Sequence, residues 1–310
     1  MKPAGHLDPQ LVRPPGPWVH RDLAVNGTQL HIVETGNLRS TRAILLLHGF
    51  PQYWWSWRHV LTELSDAPVR VVAVDLRGFG GSDRTLNGYD LTTMSRDVVG
   101  VATSLGASRI LVAGHGIGGT IAWAIPQIIP AMTGGIMPVS APHPLQVRTS
   151  MPAFITLAAA KYAFFQTPFL AARGLRSGRM VRSLLKSWSA KPNRSLMLAE
   201  ADRYQAVLKP PFAAECALRP LRELRTLSAA ERKMLRPRVT CPVLAVRGNA
   251  DPVLPAQAYA HDADHTSAPL GQVVLPHTGH FVPEESPDLL IRSLSQFAQT
   301  VLHVDGLIKG

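Results

Sequence analysis

Cysteine is nearly absent from this chain, with Cys216 and Cys241 the two among 310 residues. Two cysteines cannot build a disulfide framework, and their surroundings, ECAL and TCPV, lack the paired spacing of a zinc site. No metal is expected. Long apolar runs are also missing: the longest, around MPAFITLAAAKYAFF, is short and interrupted by Lys161, which argues against a membrane span. The proline-rich start, MKPAGHLDPQLVRPPGPW, has no apolar stretch ahead of a small-residue cleavage site, so a secretory leader is not expected. A soluble, cytoplasmic chain is the expectation. Acidic residues are scarce, 21 against 32 Lys and Arg for a net charge of +11. The imbalance is local. Residues 143–237 hold 17 Lys and Arg against 5 Asp and Glu, and the remaining chain holds 15 against 16.

What is present reads as a sheet protein. Apolar residues make up 46% of the chain, enough for one large core. Residues 17–35 alternate apolar and polar side chains around Asn26-Gly27, the pattern of a hairpin. AILLLHG, RVVAVDLRG and RILVAGHG are short apolar runs ending in glycine, as buried parallel strands do. Helical stretches are expected between them, near 56–65 and in LTTMSRDVVGVATSLG, where Met94, Val98, Val101 and Leu105 recur at helical spacing. After MPVSAPHP the strand grammar stops until CPVLAVRGNADPVLP, followed by GQVVLPHTGHF and a last helix in SPDLLIRSLSQFAQTVL. The division that follows is a core in two parts, 1–142 and 238–310, interrupted by a helical basic cap over 143–237.

In an open parallel sheet, functional groups gather at the carboxyl ends of the strands. The loops there carry HGFPQYWWSWR (48–58), DLRGFGGSDR (75–84), GHGIGG (114–119), VSAPHP (139–144), RGNADPVLP (247–255) and HTGHFVPEESP (277–287). Together and in this order they resemble the α/β-hydrolases, in the branch of epoxide hydrolases and haloalkane dehalogenases. The resemblance implies a mostly parallel α/β sheet flanked by helices with an inserted helical cap. It also implies roles for single residues. His280 resembles the family's base and Asp251 the acid that orients it, with His277 a near alternative to His280. The Phe50 and Ile117 amides would donate to an oxyanion. His48, Pro51, Trp54 and the cap tyrosines Tyr162 and Tyr204 would line the substrate site. No cofactor is implied.

The centre of GHGIGG departs from the family. Where the resemblance implies a nucleophilic side chain, the chain has Gly116. Sliding the register by one residue brings His115 or Ile117 to the centre and misplaces the flanking glycines. Thr120 lies one helical turn on, and Ser140 follows the next strand without sitting on the turn. In the cap, AAECALRPLREL aligns Leu221 with a family tyrosine. Three readings follow: a pseudoenzyme that binds a small apolar molecule between core and cap; a hydrolase of epoxides or esters using water activated by His280 and Asp251; or an epoxide hydrolase whose nucleophile has been deliberately removed.

The cap segment GRMVRSLLKSW puts Val181, Leu184, Leu185 and Trp188 on one helical face and Arg179, Arg182 and Lys186 on the other. Packing on the core with a solvated basic face is the plain reading, with an anionic membrane surface or acidic partner the sharper one. No nucleic-acid motif accompanies the charge, so nucleic acid is not expected as a partner.

Overall fold

A computed structural model describes residues 9–146 and 164–307. Eight strands form one sheet: β1 (Val19–Val25), β2 (Thr28–Gly36), β3 (Arg42–Leu47), β4 (Arg70–Val74), β5 (Arg109–His115), β6 (Thr133–Val139), β7 (Val243–Gly248) and β8 (Leu270–Leu275). Their order across the sheet is β1-β2-β4-β3-β5-β6-β7-β8. β1 and β2 are the expected hairpin, turning at Asn26 and Gly27, both at positive φ. β2 also runs antiparallel to β4, and from β4 to β8 every neighbour is parallel.

Parallel strands need long crossovers, and here helices supply them. α1 (Leu91–Ser104) buries Met94, Val98 and Val101 from the expected face, and the Asp90 side chain accepts the Thr93 amide at its start. α2 (Ile117–Ile128) follows β5. The stretch near 56–65 is a 3-10 turn, Trp54–Trp57, continued by a short α-helix, Arg58–Glu63. The central strands are buried along most of their length, β4 and β6 at every position, and apart from Arg70 and Thr133 those two strands carry no polar side chain. A strand covered on both faces needs no polar side.

Between β6 and β7 the chain leaves the sheet and forms α3 (Pro168–Arg176), α4 (Arg179–Trp188), α5 (Ala201–Leu208) and α6 (Ala213–Glu223), with shorter helices among them. α4 buries Val181, Leu184, Leu185 and Trp188. Its opposite face is only partly neutralised: Arg182 pairs with Asp202 at 2.6 Å, and Arg176 on α3 pairs with Glu215 at 2.6 Å. α7 (Pro287–Leu302) returns to pack against β5 and β6. No helix among the described residues is long and apolar enough to cross a membrane.

Candidate active site

The loops after β3, β5, β6, β7 and β8 leave the sheet along one edge, and their tips meet. β5 ends at His115, the backbone turns at Gly116 with φ 52° and ψ −109°, and α2 begins at Ile117. Glycine adopts this conformation at little cost, whereas a residue with a Cβ would be strained by on the order of 1–3 kcal/mol. The flanking glycines are required for a different reason. A Cβ at Gly118 would stand 2.4 Å from the Leu47 carbonyl oxygen, and one at Gly114 would stand 2.1 Å from that of Gly118. At Gly116 the surroundings are open: a Cβ would find only the Gly49 Cα at 3.7 Å and His280 Nε2 at 3.9 Å. The turn is tight in its frame and roomy at its tip.

His280 and Asp251 come together from different loops, with His280 Nδ1 2.9 Å from Asp251 Oδ2. Asp251 Oδ1 accepts the amides of Val253 at 2.7 Å and Leu254 at 3.1 Å. With Nδ1 engaged by the Asp251 carboxyl group, Nε2 is the ring nitrogen that faces Gly116. The backbone of His280 is held as firmly as its ring. Its amide donates to the Trp188 carbonyl at 2.9 Å, and its carbonyl accepts from His115 Nε2 at 2.8 Å and Ser140 Oγ at 2.9 Å. Burial holds the His115 pKa well below the usual range, so this ring is a neutral donor through Nε2.

Glu285 closes the other side of that loop. Its Oε2 accepts from the Ala190 and Gly279 amides, both at 2.9 Å, and from Asn193 Nδ2 at 3.1 Å, while Oε1 accepts the Phe281 amide at 3.0 Å. One carboxyl group therefore ties the cap, at Ala190 and Asn193, to both neighbours of His280. Gly279 allows the approach, since a Cβ there would lie 2.3 Å from the Ala190 nitrogen. Glu285→Ala is expected to lower stability by about 3 kcal/mol, because buried donors lose their acceptor at once, and Glu285→Gln by less. Urea unfolding of both variants measures this; an alanine variant within about 0.5 kcal/mol of the parent would show that the tie is not stabilising.

Phe50, Gly116, Ile117, Trp188, Leu221 and His280 are among the residues that line a cavity of about 140 Å³ between sheet edge and cap. The Phe50 and Ile117 amides donate to no protein acceptor among the described residues. Other expected contacts do not form. His48 is buried behind the cavity, its Nδ1 donating to the Gly49 carbonyl at 2.8 Å and its Nε2 accepting the Leu76 amide at 3.1 Å. With both ring nitrogens engaged, it braces two loops. Trp54 points away as well, its indole nitrogen donating to the Val12 carbonyl at 2.7 Å, and Pro51, joined to Phe50 by a cis peptide bond, is buried off the cavity wall.

Tyr204 also lies elsewhere. α5 packs its ring edge-on against Tyr53, 5.9 Å between centroids, and burial, with Glu284 next to it, drives the phenol pKa well above its usual value. It is core, not cavity wall. Tyr162 lies outside the described residues. His277 is exposed at positive φ, and its carbonyl accepts from Asn193. Both hydroxyls near the turn are engaged with backbone: Ser140 Oγ donates to the His280 carbonyl, and Thr120 Oγ1 to the Gly116 carbonyl at 3.3 Å. Trp188 is the cavity-wall contact that helical spacing did not reveal. The spacing places it on the buried face, but only the packing sets its ring edge-on to His280, 5.4 Å between centroids.

The family model described as "Alpha/beta hydrolase family" matches residues 44–293. The chain is similar to the AB hydrolase superfamily protein YfhM of Bacillus subtilis, 28% identical over 278 residues, covering 88% of this chain and 95% of that protein. It is also similar to human epoxide hydrolase 4, 27% identical over 308 residues, covering 96% of this chain and 83% of the relative. Among solved structures, wild-type Cfl2 from Burkholderia cenocepacia superimposes with a TM-score of 0.80 at 28% identity, covering 96% of this chain and 99% of that one. The match over most of the sheet and the strand ends that carry Gly116, Asp251 and His280 leads to one conclusion: this chain belongs to the alpha/beta hydrolase family.

Proposed function

We propose that the protein binds a small apolar molecule between core and cap and does not hydrolyse it by the covalent route of epoxide hydrolases, because Gly116 stands where those enzymes carry their nucleophile. The observation that carries this reading is the open turn tip: Gly116 has no side chain, the space before it reaches to His280, and neither Ser140 nor Thr120 supplies a substitute. Covalent catalysis needs an attacking atom held against the substrate. Here that position offers hydrogen. The lining side chains, Trp188, Leu221, Leu224 and Leu254 among them, favour an apolar guest.

A second reading rests on the formed His280–Asp251 pair, whose Nε2 faces the same space. Such a base could activate water for direct attack on an epoxide or ester, with the Phe50 and Ile117 amides receiving developing negative charge. One experiment separates the two. The parent and His280→Ala are assayed on a panel of epoxides and esters, and binding of toluene to the parent is followed by calorimetry. Toluene binding with both proteins at background turnover is the expected result. A parent rate above background that vanishes in His280→Ala would replace the binding reading with water activation. Absence of toluene binding would overturn the apolar site.

A further inference from the structure

The apolar walls of the cavity explain the body of a guest, and its inner end has a different character. Among the described lining residues the ionisable side chains are His280 and Arg225, both cationic when charged, and none is acidic. Asp251 lies behind His280, bound to the far ring nitrogen and to its own loop. At the inner end, three donors or potential donors belong to residues around Gly116. The Phe50 and Ile117 amides have no protein acceptor among the described residues, and His280, 5% exposed, turns Nε2 toward the turn tip. Ile117 is also the first residue of α2, a twelve-residue helix whose amino end carries partial positive charge.

We infer that the guest is an apolar carboxylic acid, bound with its carboxyl group at Gly116 and its hydrocarbon body against Trp188 and Leu221. This rests on the apolar-site reading above and names the ligand class for the same cavity. One carboxyl oxygen accepts from the Phe50 and Ile117 amides, and the other shares a proton with His280 Nε2. A nucleophilic carboxylate at position 116 would exclude such a guest by repulsion and bulk, whereas glycine admits it. Exposed Arg225 lies at the outer end of the same cavity. It would draw anions toward the mouth without holding the head group.

The physical chemistry gives the inference a test with opposite signs. Desolvating a carboxylate costs several kcal/mol, so a merely apolar cavity prefers an alcohol to the corresponding acid. Prepared donors reverse that order through charge-assisted hydrogen bonds. Phenylacetate, 2-phenylethanol and toluene are titrated into the full chain by calorimetry. Phenylacetate is expected to bind at least about tenfold tighter than 2-phenylethanol, a difference of about 1.4 kcal/mol. Gly116→Asp and, separately, His280→Gln should each abolish that preference, and Arg225→Gln should keep it. Circular dichroism checks the fold of each variant, and His280→Gln leaves the backbone of the turn untouched.

Equal or weaker binding of phenylacetate than of the alcohol would overturn the carboxyl assignment and leave the apolar site standing. A preference lost only in Arg225→Gln would overturn the orientation, because the head group would then sit at the mouth. If toluene and 2-phenylethanol also fail to bind, the apolar-site reading falls with it.

Discussion

Gly116→Asp alone is expected to leave epoxide hydrolysis roughly a hundredfold or more below the double variant Gly116→Asp/Leu221→Tyr. The new carboxylate would stand near His280 Nε2, since a Cβ at 116 lies 3.9 Å from that atom. It could therefore attack an epoxide carbon, and His280 with Asp251 could then direct water at the ester. Attack also breaks the C–O bond, and the departing oxygen must gain a proton. Among the described cavity walls no phenol is placed to supply one: Leu221 occupies the wall, and Tyr204 is buried against Tyr53. General acid catalysis of this kind contributes roughly 10² to 10⁴ in rate. Styrene oxide turnover of the single and double variants is the measurement, with Tyr162→Phe added to each. Full turnover from Gly116→Asp alone would refute the assignment of Leu221 to the proton donor's place, and its loss on adding Tyr162→Phe would give the role to Tyr162.

The second large effect concerns the frame of the turn. Gly118→Ala is expected to cost at least about 3 kcal/mol, an exceptional penalty for one methyl group. The reason is that the added Cβ meets the Leu47 carbonyl oxygen at 2.4 Å, and β3 is held between β4 and β5 and cannot withdraw. Gly114→Ala faces the same problem, at 2.1 Å from the Gly118 oxygen. Gly116→Ala meets no such obstacle and should pay only backbone strain, on the order of 1–3 kcal/mol. Thermal and urea unfolding of the three variants would show the ranking. If Gly116→Ala proved as damaging as Gly118→Ala, the open space at the turn tip would be disproved.

The same contrast explains what was legible in the residues. β3, β4 and β5 read correctly because a strand buried on both faces is an almost unbroken apolar run, which is a local property. The buried face of α4 read correctly for the same reason, from the 3.6-residue period of Val181, Leu184, Leu185 and Trp188. Periodicity states that a side chain is buried, and it cannot state against what. Tyr204 shows the limit, since a tyrosine on the inner face of a cap helix can meet a cavity or a core, and α5 sets this one on Tyr53. His48 and Trp54 show it again: their motif marks the loop correctly, but hydrogen bonds to Gly49, Leu76 and Val12 turn both side chains away from the cavity.

By itself, then, the sequence determined the order of the sheet's strand-end loops and the lack of a side chain at Gly116, because each is written in neighbouring residues. The tertiary structure alone decided that the space before Gly116 stays open, that Trp188 and Leu221 wall it, and that Glu285 ties the cap to the loop of His280. Those outcomes depend on contacts between residues far apart in the chain, where packing and the need to satisfy buried donors, rather than local preference, choose the partner.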